Sequence, residues 1–139
     1  MTEQIPVTEG LFAQTAQGPR LLGSRCRSCE APYFPRSPVC RNPGCEDSQM
    51  EDTDFGPRGT LWSCAVQNYP PPPPARYEEP YTPYAIGVVD LAEGLRVVAR
   101  MSVDDPMALQ VGSDVELTIE PIYRDEEGRD VVTWKFKPL

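Results

Sequence analysis

Residues 26–45 read CRSCEAPYFPRSPVCRNPGC and set two cysteine pairs, Cys26/Cys29 and Cys40/Cys45, on either side of a ten-residue spacer containing proline. A C-x-x-C turn brings two thiolates to one point. A second pair close by then completes a tetrahedral site with Zn–S distances of about 2.3 Å. The spacer is shorter than the common spacing of roughly 15–20 residues, and the second pair is spaced C-x-x-x-x-C. Both departures fit a zinc ribbon, in which two short hairpins contribute one pair each. Four thiolates leave no open position, so the expected Zn²⁺ is structural rather than catalytic. The competing readings are disulfides and unrelated free thiols. A disulfide framework suits small secreted domains, but Met1 is followed by TEQIPVTEG, which has neither a basic start nor an apolar core. The expected location is therefore the cytoplasm. A redox C-x-x-C would sit near a βαβ pattern, and none is visible.

Composition narrows the function classes. At 139 residues the chain is one domain or two very small ones. A net charge of −8 argues against nucleic acid as the main partner, because phosphate neutralisation supplies most non-specific affinity. No apolar run approaches the roughly 18 residues of a membrane span. The chain has no histidine, which removes Ser-His-Asp and Cys-His mechanisms, histidine general bases and imidazole zinc ligands. Its 17 prolines point to turns and short strands, with little helix.

In chain order, residues 1–50 read as an N-terminal arm followed by the ribbon. The arm carries a weak helical signal from Glu9 to Gln17, anchored by Leu11 and Phe12 and stopped by Gly18-Pro19. A short strand from Arg20 to Arg25 leads into the first knuckle, and Tyr33 and Phe34 supply a miniature core. Arg25, Arg27, Arg36 and Arg41 surround the knuckles. They either neutralise a zinc–thiolate centre or meet a phosphate-bearing ligand or acidic partner. Glu46 to Asp54 reads as an acidic linker.

Residues 56–139 then change to strands. The segments 60–66, 84–91, 95–101, 114–120 and 130–136 are apolar or alternating and bounded by turn residues. Five short strands with a break at 104–112 predict a small Greek-key OB-type barrel, with a five-stranded sandwich as the alternative. Closure would also remove exposed sheet edges. The fold class expected is mainly β: an arm with a short helix, a four-cysteine ribbon, and a five-stranded barrel. Between the first two barrel strands lies a long loop with five consecutive prolines, Pro70 to Pro74, and the tyrosines Tyr69, Tyr77 and Tyr81. Such a run favours a stiff polyproline II segment, and long loops on compact domains are usually functional or disordered. It reads as a docking or substrate-bordering element. Cys64, mid-strand and without a histidine to activate it, reads as a small buried apolar residue.

The segments LLGSRCRSCEAPYFPRSPVC, GPRGTLWSCAVQ and PYAIGVVDLAEGLRVVARM together resemble the OB-fold acyl-CoA-associated proteins with a rubredoxin-like zinc ribbon. That family was long catalogued as a domain of unknown function. The likeness runs from Leu11 to Phe136. The second knuckle departs from it, Cys40-Arg41-Asn42-Pro43-Gly44-Cys45 being longer than the family's C-P-x-C. The resemblance implies a non-catalytic partner of a thiolase-superfamily enzyme, such as a lipid-transfer-protein-like aldolase of steroid side-chain breakdown, sharing its acyl-CoA site. Arg58, Tyr69, Tyr77 and Tyr81 are then expected to face the partner or border the CoA. The alternatives are a single-stranded nucleic-acid-binding module and an independent acyl-CoA enzyme using Asp90, Glu93 or Asp130.

Overall fold

The computed structural model describes residues 3–139; Met1 and Thr2, the first residues of the expected arm, lie outside it. The chain runs through β1 (Gln4–Pro6), β2 (Phe12–Thr15), β3 (Gly18–Cys26), β4 (Pro32–Tyr33) and β5 (Met50–Phe55). It continues through β6 (Arg58–Gln67), β7 (Tyr84–Leu91), β8 (Arg96–Met101), β9 (Asp114–Arg124) and β10 (Asp130–Pro138).

The barrel follows from alternation. On β7, Ala85, Gly87, Val89 and Leu91 are buried, while Tyr84, Ile86, Val88 and Asp90 face outward and are only partly covered. On β8, Val97, Ala99 and Met101 turn inward in the same way. β6, β7 and β8 form an antiparallel meander. β9 pairs with β10 along the whole of β10 and with β6 at Arg58–Thr60. Parallel pairing of Arg100 with Lys135 and Met101 with Phe136 closes the ring. This is the five-stranded barrel that the sequence predicts. β1 lies parallel to Asp130–Val132 on the edge of β10 that β8 leaves free. The break at 104–112 holds a single 3-10 turn, Pro106–Ala108, capped by Asp105, whose Oδ1 accepts from the Met107 N–H at 3.0 Å.

Three expectations change. The arm forms no helix: Phe12–Thr15 is β2, paired antiparallel with Gly18–Leu21 of β3. Thr15 Oγ1 donates to the Gly18 carbonyl at 2.7 Å and accepts from the Gln17 N–H at 3.2 Å, tying a tight turn that Gly18 completes at φ +101°. Phe12 packs on Trp134 with ring centroids 6.0 Å apart, so tertiary contact decides a stretch too short to hold a helix alone. Half of the expected acidic linker is also a strand, since β5 pairs with β3 from Phe55↔Leu21 to Met50↔Cys26. Its side chains are mostly polar because one face meets solvent, but Phe55 at its end is fully buried. The proline run is not extended throughout either, as Ala75 N–H closes a turn onto the Pro72 carbonyl at 3.2 Å.

Ribbon and barrel share one core. Leu21 of β3 and Phe55 of β5 belong to the same buried cluster as Leu61, Val89, Val115, Leu117 and Phe136. Burying side chains of this size contributes about 1.5–3 kcal/mol each. The two parts are thus joined by packing as well as by the chain. No helix among the described residues is long and apolar enough to cross a membrane.

Candidate metal centre and partner-facing surface

β3 delivers Cys26 into a knuckle closed by two backbone hydrogen bonds, Glu30 N–H to the Cys26 carbonyl at 2.8 Å and Cys26 N–H to the Ala31 carbonyl at 3.0 Å. Glu30 takes a left-handed φ of 67° to make the turn. The second knuckle is wound by Asn42, whose carbonyl accepts from Cys45 N–H at 3.0 Å and whose side chain accepts from Gly44 N–H at 3.1 Å. These bonds absorb the longer C-x-x-x-x-C spacing and bring Cys45 back to the first pair. Tyr33 braces the far side, its hydroxyl accepting from Arg41 N–H at 2.7 Å and lying 3.5 Å from Cys40 Sγ.

The four sulfurs of Cys26, Cys29, Cys40 and Cys45 all lie within 4.8 Å of one another. The Cys26–Cys45 and Cys29–Cys40 separations are 3.8 and 3.5 Å. A tetrahedron with Zn–S bonds of about 2.3 Å has edges of about 3.8 Å, so the donor set fits one zinc ion. Backbone hydrogen bonds, first from Gln49 and then from Cys29, lower the Cys26 thiol to about 6. Cys29 is lowered by the Ala31 backbone and the Asn42 side chain. Cys45 has a backbone bond from Asp47 that favours its thiolate, but burial and the three other sulfurs push it up to about 12. Four thiolates cannot share so small a volume without a cation, and zinc supplies that charge. The ribbon therefore carries structural zinc, with its polypeptide donors already gathered.

The arginines around the knuckles are largely engaged. Arg27 and Arg36 meet Glu51 and Asp52 of β5 at 3.8 and 3.5 Å. Arg25 donates to the carbonyls of Glu30 and Glu93 at 2.7 and 3.2 Å, bridging ribbon and barrel. These contacts are with carboxylates and carbonyls of the chain itself, as for ordinary surface charge. The three acids considered for catalysis are also occupied. Asp90 takes Arg96 at 2.6 Å, Asp130 faces Arg124 at 3.5 Å, and Glu93 Oε2 accepts from Gly56 N–H at 3.0 Å while its Oε1 is buried without a hydrogen-bond partner.

Of the residues expected to face a partner, Tyr77 and Tyr81 come together, with rings 5.4 Å apart and edge-on. Tyr81 donates to the Gln67 carbonyl at 2.6 Å and stacks toward Tyr84 at 6.3 Å, pinning the 68–83 loop back onto β7. Tyr69 stands apart and is 79% exposed. Arg58 begins β6, whereas the loop leaves from its far end beyond Gln67; at about 3.3 Å per residue they are roughly 30 Å apart. Cys64 is exposed rather than buried. A bulge at Trp62 shifts the register between Leu61 and Ser63, and β6 has parted from β9 by then, so nothing covers Cys64.

Sequence reasoning missed the groups under the loop. Tyr77, Tyr81 and Tyr84 line a cleft of about 340 Å³ with Arg100, Ser102 and Lys135. The Ser102 hydroxyl reaches both Glu120 oxygens, at 2.7 and 2.8 Å, and Lys135 lies 3.7 Å from the same carboxylate. Burial is the main influence lowering Lys135 below the usual lysine range. These residues come from four strands and the loop, and no local spacing in the sequence announces them.

Known proteins share this arrangement. The domain family described as "ChsH2, rubredoxin-like zinc ribbon domain" matches residues 16–51, and "ChsH2, C-terminal OB-fold domain" matches residues 52–120. A "DUF35 domain-containing scaffold protein" of Methanothermobacter thermautotrophicus is 32% identical, over 85% of this chain and 86% of that protein. "Benzoylsuccinyl-CoA thiolase subunit BbsA" of Thauera aromatica is 28% identical, over 88% of this chain and 79% of its own length. A chain of the solved "Ltp2-ChsH2(DUF35) aldolase" superposes with a TM-score of 0.63 at 27% identity, over 86% of this chain and 84% of that one. With a zinc-ribbon knuckle built on β3, a closed OB barrel after it and these matches along its length, the chain belongs to the ChsH2, or DUF35, family of zinc-ribbon and OB-fold proteins.

Proposed function

We propose that this chain is a non-catalytic accessory subunit of a thiolase-superfamily acyl-CoA enzyme, either a thiolase or a retro-aldolase. It docks on that enzyme and completes or stabilises its acyl-CoA site, in the breakdown of lipids or steroid side chains. The observation that carries the proposal is a likeness spanning both ribbon and barrel to a thiolase subunit and to a chain of an aldolase complex. The chain's own chemistry supports it. The zinc donors are all thiolates, histidine is absent from the sequence, and Asp90, Glu93 and Asp130 are held by internal hydrogen bonds or ion pairs. Tyr69, Tyr77, Tyr81 and Arg58 face the partner or border its CoA in this account.

The experiment mixes the purified chain with each thiolase-superfamily enzyme of its own cells and follows cleavage of the acyl-CoA carbon–carbon bond. One enzyme is expected to gain at least about tenfold in activity and to co-elute with the chain. If every such enzyme is fully active and soluble alone and none binds the chain, the proposal fails.

A further inference from the structure

The outward face of β6, β7 and β8 sets exposed apolar side chains among arginines. β6 exposes Arg58, Thr60 and Trp62 in alternation with Gly59 and buried Leu61. Across the ladder Asp90 faces Arg96, Val88 faces Val98 and Ile86 faces Arg100, on the side opposite the buried Ala85, Val89, Val97 and Ala99. Trp62 is 52% exposed and Val98 61%. Two arginines sit over aromatic rings here: the Arg96 guanidinium carbon is 3.9 Å from the Trp62 ring centroid and that of Arg100 is 3.8 Å from the Tyr84 centroid. A shallow groove of about 240 Å³ runs beside them, lined by Ile86, Val98 and Ile122. Aromatic and arginine side chains around an aliphatic centre are where binding energy concentrates in protein interfaces. β6 adds an open edge. From Ser63 to Gln67 its only backbone-to-backbone partner among the described residues is β7.

We propose that this face is where the thiolase-superfamily partner docks, the partner presenting an apolar patch of its own rimmed by carboxylates; the proposal rests on the accessory-subunit reading above. Charge selects that occupant. Arg96 is already paired with Asp90, but among the described residues neither Arg58 nor Arg100 has a carboxylate within 4.0 Å. These two cations flank the apolar strip and call for acids on the partner. A second copy fits worse. Two-fold docking would turn the same arginines toward each other and bring together two chains of net charge −8. A single nucleic-acid strand could stack on Trp62 and Tyr84, but the whole chain repels it.

The test uses the full-length chain and the enzyme identified by the mixing experiment, with binding followed by biolayer interferometry. Val98→Glu puts a carboxylate at the exposed apolar centre, and Arg100→Glu reverses the charge at the rim. Each is expected to raise Kd at least about 30-fold with unchanged circular dichroism and zinc content. Amide exchange should slow on partner binding over residues 62–67, 84–88 and 96–100. Should Val98→Glu fail to fold, Arg100→Glu decides the matter. Wild-type affinity in the folded variants, with protection elsewhere, would overturn this surface and leave the accessory role standing. Failure of any enzyme to bind the wild-type chain would overturn that role, and this surface with it. Self-association or binding of a 30-nucleotide strand that Val98→Glu abolishes would also overturn the assignment.

Discussion

At Cys45, burial and three neighbouring sulfurs hold the thiol up to about 12, and a dication is what makes it a ligand. Cysteine-to-serine replacement at one corner should therefore remove the metal rather than merely weaken it. Structural zinc contributes roughly 10–16 kcal/mol of apparent binding energy in finger peptides, more than a ribbon core of this size can replace. Cys29→Ser is expected to abolish stoichiometric zinc by plasma mass spectrometry and to unfold the ribbon; a zinc-loaded, folded variant would remove Cys29 from the ligand set. Asp125 allows a second test at this scale. Its carboxyl accepts from Arg129 N–H at 2.8 Å and from Glu127 N–H at 3.0 Å, and takes the Arg129 guanidinium at 2.8 Å. The Arg129 backbone bond first, and then its side chain, lower Asp125 below the ordinary 3.8. A depressed carboxylate stabilises the fold above its unfolded pKa, and that contribution disappears as pH falls through its folded value. Asp125→Asn keeps the Oδ1 acceptor for the two backbone N–H groups but loses the charge and sets an amide N–H₂ where Oδ2 accepted from the Arg129 guanidinium. It should lower the melting temperature at pH 7, and the gap to wild type should narrow as pH falls below about 3.8; a gap that does not change with pH would contradict this. The cysteines could be read from the sequence because their partners are near neighbours. The Arg96–Trp62 and Arg100–Tyr84 stacks could not, because they are made across strands that only the folded ladder aligns.

The strands legible in the sequence are those with enough length to alternate and a turn signal at their ends. β7, β9 and β10 meet both conditions, and Gly94 and Gly128 occupy their turns at φ +92° and +78°. β2 and β5 show no apolar alternation, although a Gly-Pro turn follows each. β2 has four residues, and β5, MEDTDF, is polar on the face that meets solvent. What makes β5 a strand is the edge of β3, together with Phe55 entering the barrel core fully buried. The acidic composition that reads as a linker is only its wet side. Phe55→Ala should accordingly destabilise more than the ribbon. Truncating a buried phenylalanine costs about 3–5 kcal/mol, and the loss should lower one unfolding transition seen by both ribbon and barrel probes. Two separate transitions, with only the ribbon's shifted, would show that the parts fold independently.

Over the whole molecule, charge, core and chemistry point one way. The net charge of −8 disfavours nucleic acid, the core joins ribbon to barrel, and the polar groups weighed for catalysis are tied into internal contacts. The remaining exposed aromatic and arginine surface lies on the outer barrel and the tyrosine loop, where a second protein can reach it. Fold class and metal site could be anticipated from cysteine spacing and strand pattern. The surface that a partner covers could not, because it is assembled from β6, β7, β8 and the loop at distances set by the closed barrel. The most direct measurement is native mass spectrometry of the protein isolated from its own cells with its metal retained. The account predicts a complex containing this chain, one zinc ion per copy and a thiolase-superfamily subunit. A zinc-loaded chain with no such companion, under conditions that preserve other hetero-oligomers, would contradict it.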